Sequence, residues 1–136
     1  MIKACIDTSV ILRLLVKDDE EKCNACARLI REAKHTGIIL YIFPITILEI
    51  VWVLERIYKY GKKEIREIVE AILNTPELKC ELENVFRKAL EIYEEKNIKF
   101  ADAVLGYWSL DKGIRTVFTY DEKHFKRIED IDVRIP

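Results

Sequence analysis

The sequence predicts an α/β fold in which helices cover both faces of a parallel sheet, and three observations predict it. Short apolar runs of strand length alternate with longer segments of helical spacing from one end of the chain to the other. Most boundaries between them carry glycine, proline, asparagine or a cluster of acids. No internal repeat, linker or low-complexity stretch interrupts the 136 residues, so a single domain over 1–136 is expected.

Each element follows from local chemistry. Ile2 to Ile6 reads as a short apolar strand, and Asp7-Thr8-Ser9 then supplies the carboxylate and hydroxyls that suit a helix N-terminus. A helix of about two turns is expected from Val10 to Val16. Asp18-Asp19-Glu20-Glu21 place acids in the first turn of a longer helix that reaches about Lys34 and is ended by Gly37. Ile38 to Phe43 reads as a buried strand, and Pro44 stands near the start of a helix from Ile45 to about Tyr60. Gly61 stops it. A charged amphipathic helix from Lys62 to Leu73, closed by Asn74-Thr75-Pro76, completes a helical hairpin at about 45–73.

Leu78 to Glu81 is a short strand candidate. Asn84 to Lys96 is helical, with Val85, Leu90 and Ile92 near helical spacing, and Phe100 to Leu110 is a further helix ended by Asp111-Lys112-Gly113. Arg115 to Phe118 reads as a strand, Asp121 to Lys126 as a short helix and Val133 to Ile135 as a last edge strand.

Composition excludes several classes. Half the residues are apolar, and 23 Lys plus Arg nearly cancel 24 Asp plus Glu, which removes intrinsic disorder and a generic polycation that holds nucleic acid by bulk charge. Cys5, Cys23, Cys26 and Cys80 stand in a chain with no secretory start, so free thiols in a reducing cytoplasm are expected. Cys23 and Cys26 have redox or metal spacing, but no second pair accompanies them, and they read as small apolar residues one helical turn apart. Gly37 to Leu54 is long enough to raise a membrane span, which Pro44 and Glu49 argue against.

Ligands of such folds lie beyond the carboxyl ends of strands, which directs attention to four carboxylates. Asp7 follows the first strand and reads equally well as a helix cap. Asp121 follows the strand ending at Phe118, where Thr119 with Glu122 fits a capping box and leaves Asp121 in the first helical turn. Glu49 lies in Ile45-Thr46-Ile47-Leu48-Glu49-Ile50-Val51-Trp52-Val53-Leu54, a helix apolar on nearly every side and so expected to be buried or in an interface. A carboxylate there needs a cation, whether a metal, Arg56 or another base, unless it faces water at a rim. Asp102 repeats the pattern in Phe100-Ala101-Asp102-Ala103-Val104-Leu105-Gly106-Tyr107-Trp108, with a cap or first-turn acid as the alternative. Its small neighbours Ala101, Ala103 and Gly106 are expected to let that helix approach another backbone closely.

Two unit charges about 5 Å apart repel by roughly 3 kcal/mol at an effective dielectric of ~20. Four such groups gathered together must protonate or be neutralised by a divalent cation, and an all-oxygen set suits Mg²⁺ or Mn²⁺. No Cys or His cluster suits zinc.

These segments resemble the motifs of PIN-domain nucleases, and within them the VapC-type toxins of toxin-antitoxin pairs. Ile6-Asp7-Thr8-Ser9-Val10-Ile11-Leu12-Arg13 with Asp18-Asp19 resembles the opening motif and the Glu49 helix the second. Phe100-Ala101-Asp102-Ala103-Val104-Leu105 resembles the third and Thr119-Tyr120-Asp121-Glu122-Lys123-His124-Phe125 the fourth. They occur in family order along the whole chain.

The resemblance implies a three-layer α/β/α sandwich with a parallel central sheet of order 3-2-1-4-5. It also implies an acidic quartet of Asp7, Glu49, Asp102 and Asp121 around Mg²⁺ or Mn²⁺, and Ser9 and Thr119 as hydroxyls that orient it. Many relatives carry Asn where Ser9 stands. The implied activity is a metal-dependent endoribonuclease working by water attack and leaving 5′-phosphate and 3′-hydroxyl ends.

Arg13, Arg56 and Lys59 are candidate contacts to RNA phosphate, with Lys62, Lys63 and Arg66 nearby and Tyr58 and Tyr60 placed to stack. The apolar excess of the Ile45 to Tyr58 helix implies a homodimer or a groove for an antitoxin helix. An RNA-processing PIN nuclease and an inactive PIN-fold binding module are the alternatives within the resemblance. A haloacid-dehalogenase phosphatase wants Asp where Ser9 stands, and a receiver domain wants further acids beside Asp7 and a late Lys.

Overall fold

The structure is a computed structural model that describes all residues, 1–136. Its elements in order are β1 (Ile2–Cys5), α1 (Thr8–Val16), α2 (Glu20–Thr36), β2 (Ile38–Ile42), α3 (Pro44–Arg56), α4 (Lys62–Leu73), β3 (Leu78–Cys80), α5 (Glu83–Glu95), α6 (Phe100–Asp111), β4 (Thr116–Phe118), α7 (Glu122–Phe125) and β5 (Asp132–Arg134). The chain divides into two compact units, Met1–Tyr60 with Glu67–Glu81 and Gly61–Arg66 with Leu82–Pro136.

In the first unit β2 pairs in parallel with β1 on one side and β3 on the other, with Ile2 opposite Ile38 and Leu40 opposite Leu78. Parallel neighbours need helical crossovers, and α1 and α2 supply the one between β1 and β2. Asp7 caps α1, Asp19 caps α2 by accepting from the Lys22 amide, and Gly37 ends α2 at φ 71°, a conformation glycine adopts without penalty. Ile6, Ile11, Leu40, Ile42, Ile47, Ile50, Val51 and Leu54 are buried in this unit.

The second unit pairs β4 with β5, also in parallel, and packs α5 on α6. Aromatic rings seal that packing: Tyr93 meets Phe100 edge-on with centroids 5.5 Å apart, and Phe86 stacks on Phe100 at 6.1 Å. Lys62 lies 4.4 Å over the Tyr93 ring, and Arg66 bonds Glu94 at 2.9 Å.

Expected and observed elements agree in kind and order, and three details differ. The strands hydrogen-bond as two sheets, 3-2-1 and 4-5, rather than as one sheet of order 3-2-1-4-5. β4 is only three residues long, so a further ladder along it involves very few bonds of about 1 kcal/mol net each. The third helix ends at Arg56 rather than near Tyr60, because the Tyr58 and Tyr60 amides turn back to Val53 and Leu54 and Lys59 adopts a left-handed φ of 57°. Gly106 faces the Ile128 side chain rather than another backbone.

No helix is long and apolar enough to cross a membrane. All four cysteines are free, with Cys23 and Cys26 half-buried on α2.

Candidate acidic site

Asp7 and Glu49 belong to the first unit, Asp102 and Asp121 to the second. Within neither unit do three or more His, Cys, Asp or Glu side chains form a group able to hold a metal ion by themselves.

Asp7 stands one residue beyond buried Ile6, where the chain leaves β1 and enters α1. Its extended backbone is that of a helix cap, and both donors of Ser9 converge on one oxygen. The hydroxyl donates to Oδ2 at 2.7 Å and the amide to the same atom at 3.2 Å. These bonds, the hydroxyl first, hold the Asp7 carboxyl below the usual aspartate range. The cap and a negative charge kept available are therefore the same arrangement.

Glu49 departs from expectation. The third helix buries an ordinary stripe of Thr46, Ile47, Ile50, Val51 and Leu54, and Glu49 lies on the exposed side with Ile45, Trp52 and Arg56 at helical spacing. Spacing, not the count of apolar residues, decides the buried face. Glu49 thus occupies the rim position, facing water. The apolar excess instead surfaces as Ile45, 72% exposed, and Trp52, 54% exposed.

Asp102 is the half-buried member of the quartet. It sits in the first turn of α6, with Lys99 as the N-cap residue. Its Oδ2 is shielded from solvent and has no hydrogen-bond partner. Burial first, and the charge of Asp121 second, push its carboxyl above the usual range, against the pull of Lys99.

His124 Nδ1 approaches Oδ2 to 3.7 Å, which resembles an ion pair. The same Nδ1 accepts the Lys99 backbone N–H at 2.8 Å. A nitrogen that accepts has no proton to give, so this bond assigns the ring proton to Nε2 and leaves Oδ2 unsatisfied.

Asp121 is exposed and begins α7. The capping box expected of Thr119 and Glu122 is not formed. Thr119 Oγ1 accepts the Asp121 amide at 2.9 Å instead, a tighter turn that fixes the backbone of Asp121 itself. The Thr119 amide in turn donates to Arg134 of β5 at 2.9 Å, so this loop is tied to the sheet.

The basic candidates differ in their freedom. Arg13 is drawn to Asp18 at 3.3 Å, whereas Arg56 and Lys59 are exposed around the end of α3.

The family model for the PIN domain matches residues 4–131. The chain belongs to the PIN-domain family. It is also 30% identical over 123 residues to a VapC ribonuclease of Aquifex aeolicus (strain VF5), a match covering 90% of each chain. In this PIN domain the acids and hydroxyls of the motifs do not single out Lys99, and give His124 no role at Asp102. A signal existed: His124 lies three residues after Asp121 and Lys99 three before Asp102, each one helical turn from a carboxylate.

Proposed function

We propose that this chain is an endoribonuclease that hydrolyses RNA phosphodiester bonds with Mg²⁺ or Mn²⁺, as the toxin of a toxin-antitoxin pair in the cytoplasm. One observation carries the reading: in a PIN domain, a shielded carboxylate oxygen of Asp102 has no partner and stands in the field of Asp121. Such an oxygen is costly unless a cation takes it, and an all-carboxylate donor set fits a hard divalent ion. When bound, that ion supplies an activated water and offsets charge on the departing 3′ oxygen.

Asp7, Glu49, Asp102 and Asp121 are the proposed catalytic and metal-holding residues, Asp7 and Glu49 by their place in the family motifs. Ser9 fixes the Asp7 carboxylate and Thr119 the Asp121 backbone, which supports their role as orienting hydroxyls. Arg56 and Lys59 are proposed to meet RNA phosphate. Arg13 reaches phosphate only by leaving Asp18. The exposed Ile45 and Trp52 support docking of an antitoxin helix or of a second copy of the chain on α3. The ribonuclease name of the Aquifex relative supports this assignment.

The test is cleavage of a panel of structured RNAs by purified protein with Mn²⁺, with chelator, and by an Asp7→Asn variant. Expected are metal-dependent products with 5′-phosphate ends, lost in the variant. Cyclic-phosphate ends formed without metal, or equal cleavage by the variant, overturn the proposal.

A further inference from the structure

We propose that His124 is a positioning residue that takes over the helix-capping duty of Asp102 and so keeps the Asp102 carboxylate available for a cation. The inference rests on the reading of Asp102 as a metal-holding residue.

The reasoning starts at the N-terminus of α6. Lys99 is its N-cap residue and makes no side-chain cap, and Asp102 occupies the third helical position. An acid at that position ordinarily reaches back to the N-cap amide, the second half of a capping box. Here that amide is already taken: Lys99 N–H donates to His124 Nδ1 at 2.8 Å. The acid denied its local partner is the one whose Oδ2 is shielded and unsatisfied.

His124 also stands in the short helix begun by Asp121, so one side chain ties the start of α7 to the start of α6. The side chains of His124 and Asp102 are only 18% and 23% exposed, so the imidazole and the carboxylate stand together in a partly shielded position beside that amide. Remove the imidazole acceptor, and the Asp102 carboxylate holds the helical position from which a side chain reaches back to that amide. It would then turn inward and lose its readiness for a cation. Asparagine at 124 can present its side-chain oxygen where Nδ1 stands, whereas leucine offers no acceptor.

The experiment measures Mn²⁺ binding to metal-free protein by calorimetry for wild type, H124L, H124N and D102N. Loss of a supporting hydrogen bond of this kind weakens metal about 10- to 100-fold. H124L is expected within that range and H124N within about threefold of wild type. Equal affinity of H124L and wild type, or H124N as weak as H124L, overturns the inference while the nuclease reading stands.

Wild-type protein that binds no Mn²⁺, or binds it as D102N does, refutes the nuclease reading instead. A second readout needs neither metal nor variant: a nitrogen–nitrogen coupling across the hydrogen bond between the Lys99 amide and His124 Nδ1, seen by NMR in metal-free wild type. Its absence overturns the capping role of His124 even if H124L fails to fold.

Discussion

Ser9 holds Asp7 by two donors on a single oxygen, Oδ2, and leaves Oδ1 outside that arrangement. A carboxylate fixed in this way has one oxygen for its own helix and one for a ligand. Ser9→Ala is expected to lower kcat/KM about tenfold, the size typical of losing a hydrogen bond that orients a ligand. The Ser9 bonds lower the Asp7 pKa, so the charged form persists to lower pH; without the hydroxyl, the acid limb of the pH profile should move to higher pH. Ser9→Asn, which restores a donor, should recover most of the activity. An unmoved acid limb in Ser9→Ala would count against this coupling.

Thr119 acts on Asp121 through the backbone alone, by accepting its amide. Thr119→Ser keeps the acceptor and is expected to stay within about twofold of wild-type kcat, whereas Thr119→Val should lose about tenfold with an unchanged melting temperature. Steady-state kinetics beside thermal melts separates the two.

Asp102 has the opposite electrostatic character to Asp7. Burial and Asp121 raise its pKa above the ordinary value of about 3.9. The stability tied to its proton is therefore complete below that value and is lost as pH rises through the folded pKa. Metal-free Asp102→Asn should melt above wild type at pH 7 by about 2 °C, since solvent screening keeps the effect to roughly 0.5 kcal/mol. At pH 3 the difference should vanish. Saturating Mn²⁺ should reverse the order at pH 7, because only wild type gains the linked binding energy. Calorimetric melts at both pH values check all three statements.

Gly106 lies against Ile128, whose Cδ1 would stand 2.5 Å from an added Cβ. Alanine gains about 1 kcal/mol of helix propensity, but Ile128 is buried and has little room to move. Gly106→Ala is expected to be destabilising by about 1 kcal/mol net and Gly106→Val by about 3. Ile128→Val removes Cδ1, so Gly106→Ala in that background should be neutral or stabilising. A double-mutant cycle from denaturant melts reads this, and additive effects would refute the contact.

The fold was legible wherever spacing and punctuation agreed. Gly37, Pro44 and the acid clusters before α2 mark boundaries that the structure places within about two residues. Reading α3 by its apolar content instead of its period led to a buried Glu49, when Thr46, Ile50 and Leu54 already define the inward stripe. The pairing of strands beyond 3-2-1 and 4-5 depends on contacts distant in sequence, which local pattern does not encode. At the acidic site, residue types exposed the carboxylates, but the use of His124 by the Lys99 amide depends on two segments 25 residues apart. Chain spacing cannot show that.

The register of the larger sheet governs how the protein can assemble. Ile2 meets Ile38 and Leu40 meets Leu78, so every rung joins positions more than thirty apart, and no hairpin is available to start the sheet. On the ribosome, β1 must wait until α1 and α2 have emerged before it finds its neighbour, and β2 waits in turn for α3 and α4. A nascent chain cut short before Leu78 therefore ends with half its sheet unbuilt, and contact order delays maturation until the third strand has been made.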